Sequence, residues 1–371
     1  MPFDDIRPFD NSEIPMAMKR IVESPHFPQL AQLLPPSLPI QQLRQLLLAV
    51  RDKDQLQVAV MKPMMEYVLS STVESFTASG IERLDPSQRY LFLSNHRDIV
   101  LDAALLDYYL YLNNHPTAEI TFGENLMDNH LFADLGKANG MFRVVRGGGR
   151  REFYRSLLQV SQYMRYAIHE KHRSVWIAQR NGRTKDGLDR TDPAILKMLA
   201  LSDNNHPVET LLSLNIVPMT ISYEWEPCDL LKTKELFATL SAPYVKGPNE
   251  DLVSIFTGLK AQKGRVHLAL GTPITESLLE SLQPEEKGFY ERLAVAIDAQ
   301  IHANYQLSAN NYIALDLLAA NSSHADNYTP EQFSTFQQRL TQVLAINPAY
   351  REIFLKIYAN PVMNQIENLT N

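Results

Sequence analysis

Tyr90-Leu91-Phe92-Leu93-Ser94-Asn95-His96-Arg97-Asp98-Ile99-Val100-Leu101-Asp102 is the stretch that decides the architecture. Its first four residues form an uncharged apolar run, short enough for a buried strand. The text before it, from Ser79 to Gln88, is punctuated by Gly80, Asp85, Pro86 and Ser87, which mark a boundary. From Ile99 to Leu112 the residues predict a helix. A buried strand feeding a helix is the opening unit of a layered α/β domain.

Downstream the alternation continues. Strands are predicted near Ala118 to Phe122, Met141 to Val145, Ser174 to Ala178, Asn215 to Tyr223 and Arg265 to Leu270. Helices are predicted at Asn129 to Ala138, Arg151 to His169 and Pro193 to Leu201. Such alternation predicts an α/β fold: a central, mostly parallel sheet covered by helices. Upstream, Phe27 to Val68 is rich in Leu, Gln and Pro with helical spacing, and Pro63 marks a break or kink. Beyond Gly271-Thr272-Pro273 helical periodicity returns at Phe289 to Ile301, Ile313 to Leu318 and Phe333 to Ile346. The expected organisation is a helical N-terminal segment (1–84), an α/β domain (85–275) and a helical C-terminal segment (276–371).

Composition narrows the class. With 371 residues, 45% hydrophobic and 21% charged, the chain can bury a large core and has none of the bias of a disordered protein. A net charge of −7 argues against a nucleic-acid binder. The only cysteine, Cys228, excludes intrachain disulfides and fits a reducing cytoplasmic compartment. The first residues carry acids and prolines where a secretory signal has a basic start and an apolar run. No stretch approaches the roughly 18 apolar residues of a spanning helix, so any membrane contact is expected to be peripheral.

Four stretches carry chemistry. The first sets His96 just after a strand and Asp98 and Asp102 at the start of a helix, where open α/β sheets bind ligands. Imidazole accepts protons near neutral pH, and a carboxylate on its other nitrogen fixes the tautomer. The plainer reading makes Asp98 an N-cap, Asp102 a partner of the helix dipole and His96 a loop residue. His96-Arg97-Asp98 also matches a protein-kinase loop, but Ala103 stands where that pattern needs asparagine, and no Asp-Phe-Gly or glycine-rich phosphate loop accompanies it.

The second stretch, Gly140-Met141-Phe142-Arg143-Val144-Val145-Arg146-Gly147-Gly148-Gly149-Arg150-Arg151, puts glycines between arginines before a helix, a setting for an anion; a solvated turn is the alternative. The third, Trp176-Ile177-Ala178-Gln179-Arg180-Asn181-Gly182-Arg183-Thr184-Lys185-Asp186-Gly187, is a strand end followed by another basic loop in an acidic protein, again with a solvated turn as its alternative. The fourth, Ile216-Val217-Pro218-Met219-Thr220-Ile221-Ser222-Tyr223-Glu224, is an apolar strand whose proline reads as architectural.

In order and spacing these stretches resemble the four sequence blocks of the glycerol-3-phosphate and lysophosphatidate acyltransferase superfamily, over roughly Tyr90 to Ile274. His96 falls at that family's base. Gly140, Val144 and Arg146 fall at the Gly, Ile and Arg of its second block, with Arg143 where the family has Phe. Asn181 and Gly182 stand at its Glu-Gly, with Arg183 one residue early. Val217-Pro218 is similar to its proline-containing strand, and Gly271-Thr272-Pro273-Ile274 to a late Gly-x-Pro-Ile.

Two departures stand out. Five residues, not the family's four, separate His96 from Asp102. Either the turn holds one extra residue or Asp98 is the partner; Asp102 is preferred because an apolar helix, Ala103-Ala104-Leu105-Leu106, follows it as in the family. Asn181 replaces a glutamate.

The resemblance implies an O-acyltransferase that carries a fatty acyl group from a thioester, acyl-CoA or acyl-carrier protein, to the hydroxyl of glycerol-3-phosphate or a lysophospholipid. His96 would be the base, with Asp102 or Asp98 as its partner. Arg97, Arg143, Arg146, Arg180, Asn181, Gly182 and Arg183 would line the substrate site. Neither a metal nor a cofactor is required. The protein is expected to sit peripherally on the inner face of the cell membrane. The same chemistry on a lyso amino-acid lipid, or a non-catalytic lipid-binding or membrane-surface module on this fold, remain open.

Overall fold

The computed structural model describes residues 3–32, 37–123, 130–144, 149–247 and 249–370. Its centre is a sheet of seven strands: β1 (Val73–Ser79), β2 (Leu91–Ser94), β3 (Glu119–Gly123), β4 (Met141–Val144), β5 (Val175–Ala178), β6 (Ile216–Tyr223) and β7 (Gly264–Leu270). They lie in the order β1-β7-β6-β2-β5-β3-β4. Every neighbouring pair is parallel except β6 and β7. The fold is α/β, with a mostly parallel sheet and helical regions on either side of it in sequence.

Alternation along the strands assigns the two faces. Phe92, Trp176, Val217, Met219 and Ile221 join a core covered by the helices Ile14–Glu23, Ile40–Ala49 and Leu101–Leu112. Leu91, Leu93, Val175, Ile177 and Ile216 face the other way, onto Arg150–His169, Pro193–Leu199 and Phe289–Asn304. Burial on both faces explains why β2 and β6 are uncharged and mostly apolar rather than alternating with exposed polar residues.

Pro218 sits inside β6, yet the antiparallel pairing with β7 begins only at Met219, opposite Leu270. On that side the missing N–H falls where the ladder ends, which is where strand proline is tolerated. Pro63 lies in the first turn of the helix Lys62–Thr72, directly after a π-helical turn at Gln57–Met61. It needs no helical donor there.

The helical reading of 1–84 misses β1. Val73–Ser79 is an edge strand pairing with β7 from Val73 opposite Gly264 to Ser79 opposite Ala269. Its half-buried, polar-rich sequence, VESFTAS, lacks the strong apolar alternation that marks a strand. At the other end, Ala309–Ala319, Pro330–Ile346 and Arg351–Thr370 build a separate core on Ile313, Phe336, Phe354 and Tyr358. Arg339 and Tyr358 tie that core to the α/β layer by bonding Asp229. Among the described residues, no helix is long and apolar enough to cross a membrane.

Candidate active site

The site begins where β2 ends. Asn95 continues the strand with its side chain: Nδ2 donates to the Ile221 carbonyl at 3.0 Å, and Oδ1 accepts from the Ile221 amide at 2.8 Å. That brace on β6 fixes the backbone from which His96 projects. The His96 carbonyl accepts from the Thr184 amide at 2.7 Å, so the loop after β5 supports it from the other side. The imidazole packs edge-on against Trp176 at 5.3 Å between ring centroids.

His96 pairs with Asp102, not Asp98. Nδ1 lies 2.8 Å from Asp102 Oδ2, and the same oxygen accepts from the backbone amides of Arg97 at 2.6 Å and Asp98 at 2.9 Å. The other oxygen, Oδ1, accepts from the Tyr223 hydroxyl at 2.8 Å. The five-residue spacing lets the chain between His96 and Asp102 curl over the carboxylate and aim two amides at it. Asp102 is fully buried, whereas the His96 side chain keeps 13% of its surface exposed. With Nδ1–H directed at the carboxylate, Nε2 carries the imidazole lone pair. Among the described residues, nothing hydrogen-bonds Nε2.

Asp98 has the capping role of the plainer reading: its Oδ1 accepts from the amides of Val100 and Leu101, each at 2.9 Å. Its Oδ2 is buried without a hydrogen-bond partner and lies against Gly258, where a Cβ would come within 2.0 Å of it. The tight approach explains why that helix position carries no side chain.

Arg97 does not face a substrate surface. It is fully buried, with Nη2 2.5 Å from Asp189 and Nη1 3.1 Å from Glu226, and it sits 5.2 Å over the Tyr305 ring. Lys232 closes the cluster, donating to the Arg97 carbonyl at 2.7 Å and bonding Glu226. A guanidinium taken out of water needs such partners. Sequence position beside His96 suggested a ligand contact, but the charge is spent holding the turn.

The remaining arginines divide. Arg180, Asn181, Gly182 and Arg183 follow β5, the immediate neighbour of β2. Gly182 adopts a φ of 76°, a left-handed conformation natural to glycine. Arg183 is half-buried beside the Cys228 thiol, which burial pushes up to about 11, and its Nη1 is buried with no partner among the described residues. Arg143 stands on β4, three strand positions from β2, or roughly 14 Å at the usual strand spacing. Its amide bonds Ile6. Arg146 lies outside the described residues.

An apolar cavity opens beside this turn. Val100, Ala103, Ala104, Asp107, Tyr108 and Tyr111 line it along one face of the Leu101–Leu112 helix. That stripe runs about 17 Å at 1.5 Å per residue. Met61, Met64, Met65, Phe122, Phe132 and Ile255 complete its walls, and it holds about 1090 Å³ of empty space, its open mouth included. At the far end stand Asp107, Thr117, Gln57 and Asn139. Burial pushes the Asp107 carboxyl up to about 7, against the pull of Lys53 and the Ala118 amide.

Sequence reasoning missed Tyr223, Trp176, Asp189 and Glu226. Tyr223 lies within the fourth quoted stretch, but only the pairing of β2 with β6 reveals that its hydroxyl reaches Asp102. Asp189 follows the third stretch and bonds both Asn95 and Arg97. Among the described residues no group of three or more His, Cys, Asp or Glu is placed to hold a metal ion.

No family model and no curated protein matches the sequence. In structure the chain is similar to the 1-acyl-sn-glycerophosphate acyltransferase PlsC from Thermotoga maritima. The two are 13% identical, the match covers 76% of this chain and 93% of that one, and the TM-score is 0.37.

Proposed function

We propose that this chain is an O-acyltransferase that moves a fatty acyl group from a coenzyme A or acyl-carrier thioester to the hydroxyl of glycerol-3-phosphate or a lysophospholipid. The observation that carries the reading is the His96–Asp102 pair at the strand ends, 2.8 Å apart, beside an apolar cavity. An imidazole with one nitrogen on a buried carboxylate and the other open is equipped for general base catalysis. The ordered motifs that resemble the glycerolipid acyltransferases support the same reading.

In this mechanism Nε2 of His96 takes the proton of the acceptor hydroxyl as its oxygen attacks the thioester carbonyl. Asp102 stabilises the imidazolium that forms. The tetrahedral intermediate then collapses: the C–S bond breaks, the ester remains, and the imidazolium returns its proton to the departing thiolate. The acyl chain lies in the cavity along the Leu101–Leu112 helix. Arg183 and Arg180, with Arg143 further out, hold the acceptor's anionic group by charge-assisted contacts, and the sequence motif adds Arg146 to that set. Asn181 and Gly182 shape that loop. The protein works peripherally at the inner face of the membrane.

The test is a transfer assay offering coenzyme A and carrier-protein thioesters against glycerol-3-phosphate, lysophospholipids and lyso amino-acid lipids. Ester formation that disappears in His96→Ala, with the fold retained by circular dichroism, is the expected result. Unchanged turnover in that variant overturns the mechanism. No turnover with any pair of substrates favours a non-catalytic lipid-binding module.

A further inference from the structure

The helix Arg150–His169 starts beyond the end of β4 and is exposed at every residue from Gly149 to Arg155. Full burial begins only at Val160. From Arg150 to Arg155, then, roughly 9 Å of helix stands clear of the body, at 1.5 Å per residue. Because β4, β3, β5 and β2 run parallel, this projecting end lies on the edge of the sheet that carries His96.

Its composition is basic and aromatic. Arg150, Arg151 and Arg155 are set against one acid, Glu152, in a chain whose net charge is −7. Between them stand Phe153 and Tyr154, 41% and 49% exposed. Glu152 is already engaged, accepting from the Gly149 amide at 3.0 Å as the helix cap. Rings beside arginines at an exposed helix end suit the headgroup region of a bilayer: aromatic rings settle at that depth, and guanidiniums meet lipid phosphates.

We propose that the projecting start of this helix docks the protein on an anionic lipid surface and turns the His96 edge towards it. The proposal deepens the acyltransferase reading by naming the surface from which an acceptor lipid is drawn. Charge complementarity alone would also suit an acidic carrier protein, but the two exposed rings add an apolar contact that a bilayer interface accommodates.

The experiment measures co-sedimentation of the full chain with phosphatidylcholine vesicles, with and without phosphatidylglycerol. It compares the wild type with a triple variant, Arg150→Ala, Arg151→Ala and Arg155→Ala, and a double variant, Phe153→Ser and Tyr154→Ser. Binding should require phosphatidylglycerol, weaken with salt, and fall about a hundredfold in the triple variant, near fivefold for each arginine. The double variant should bind several-fold more weakly. Both variants should keep wild-type turnover of a short-chain thioester with glycerol-3-phosphate, which shows that they are folded. Three results overturn the proposal: undiminished binding in both variants, binding indifferent to lipid charge, or a triple variant that loses only carrier-thioester turnover while still sedimenting. Should the wild type itself turn over no thioester, the acyltransferase reading falls, while circular dichroism reports folding and the vesicle data still decide the docking surface.

Discussion

Asp102 and Asp107 lie on the same helix, five residues apart, and both are buried, yet their surroundings differ sharply. Asp102 receives four donors: His96, two backbone amides and Tyr223. Asp107, facing the far end of the cavity, accepts from the Ala118 amide at 2.7 Å and is pushed up to about 7 by burial. The contrast shows that the helix supplies position alone; what a carboxylate can do depends on how many donors the neighbouring strands and turns aim at it.

The largest effect should fall on the first pair. His96→Ala and Asp102→Asn are each expected to lower kcat by about 10² to 10⁴-fold, the usual worth of a positioned base. Their combination should be little worse than the more severe single change, since the two act as one unit. Steady-state kinetics of the four forms decides this, and additive losses would separate the two residues.

Next comes the support behind the turn. Asp189→Ala leaves Arg97 with Glu226 as its one carboxylate partner among the described residues and is expected to cost about 3–5 kcal/mol of stability in urea unfolding, the penalty for breaking a buried ion pair. A near-neutral result would mean that this buried cluster is not what holds the His96 end of the helix.

At the opposite end, Asp107 makes a prediction about pH. A carboxyl that binds its proton more tightly when folded holds extra proton between its unfolded and folded values, here about 4 and about 7. Stability therefore falls as pH rises through that window. The Asp107→Asn variant, which can still accept from Ala118, should flatten the profile and gain up to about 4 kcal/mol over the wild type above pH 7. Thermal unfolding from pH 5 to 8 measures it; parallel profiles would erase the difference between the two carboxylates. The smallest effect is expected from Tyr223→Phe: roughly tenfold in kcat with KM unchanged, from one lost bond to a carboxylate. A change in KM alone would place Tyr223 with substrate instead.

Much of this was legible in the sequence, and the reasons are physical. Strands β2 and β6, buried on both faces, announce themselves as apolar runs, and the helix after His96 follows from its composition. The preference for Asp102 over Asp98 came from the apolar helix behind it, and the geometry pairs His96 with Asp102. What stayed hidden depends on chain segments far apart in sequence. Edge strand β1 carries too little apolar signal to stand out from the helices before it. Arg97 looks like any loop arginine until Asp189 and Glu226 close around it. Tyr223 reads as the end of a strand until β6 lies beside β2.

The burial of Arg97 has a consequence for how the molecule comes together. Its partners Asp189 and Glu226 are 92 and 129 residues away, so the guanidinium can be neutralised only after long loops have closed. Until then the turn that presents His96 carries an unmatched charge in a half-formed interior. Refolding should thus recover helical signal first and, under the proposed mechanism, transfer activity last, which would make turnover a late reporter of the finished native state.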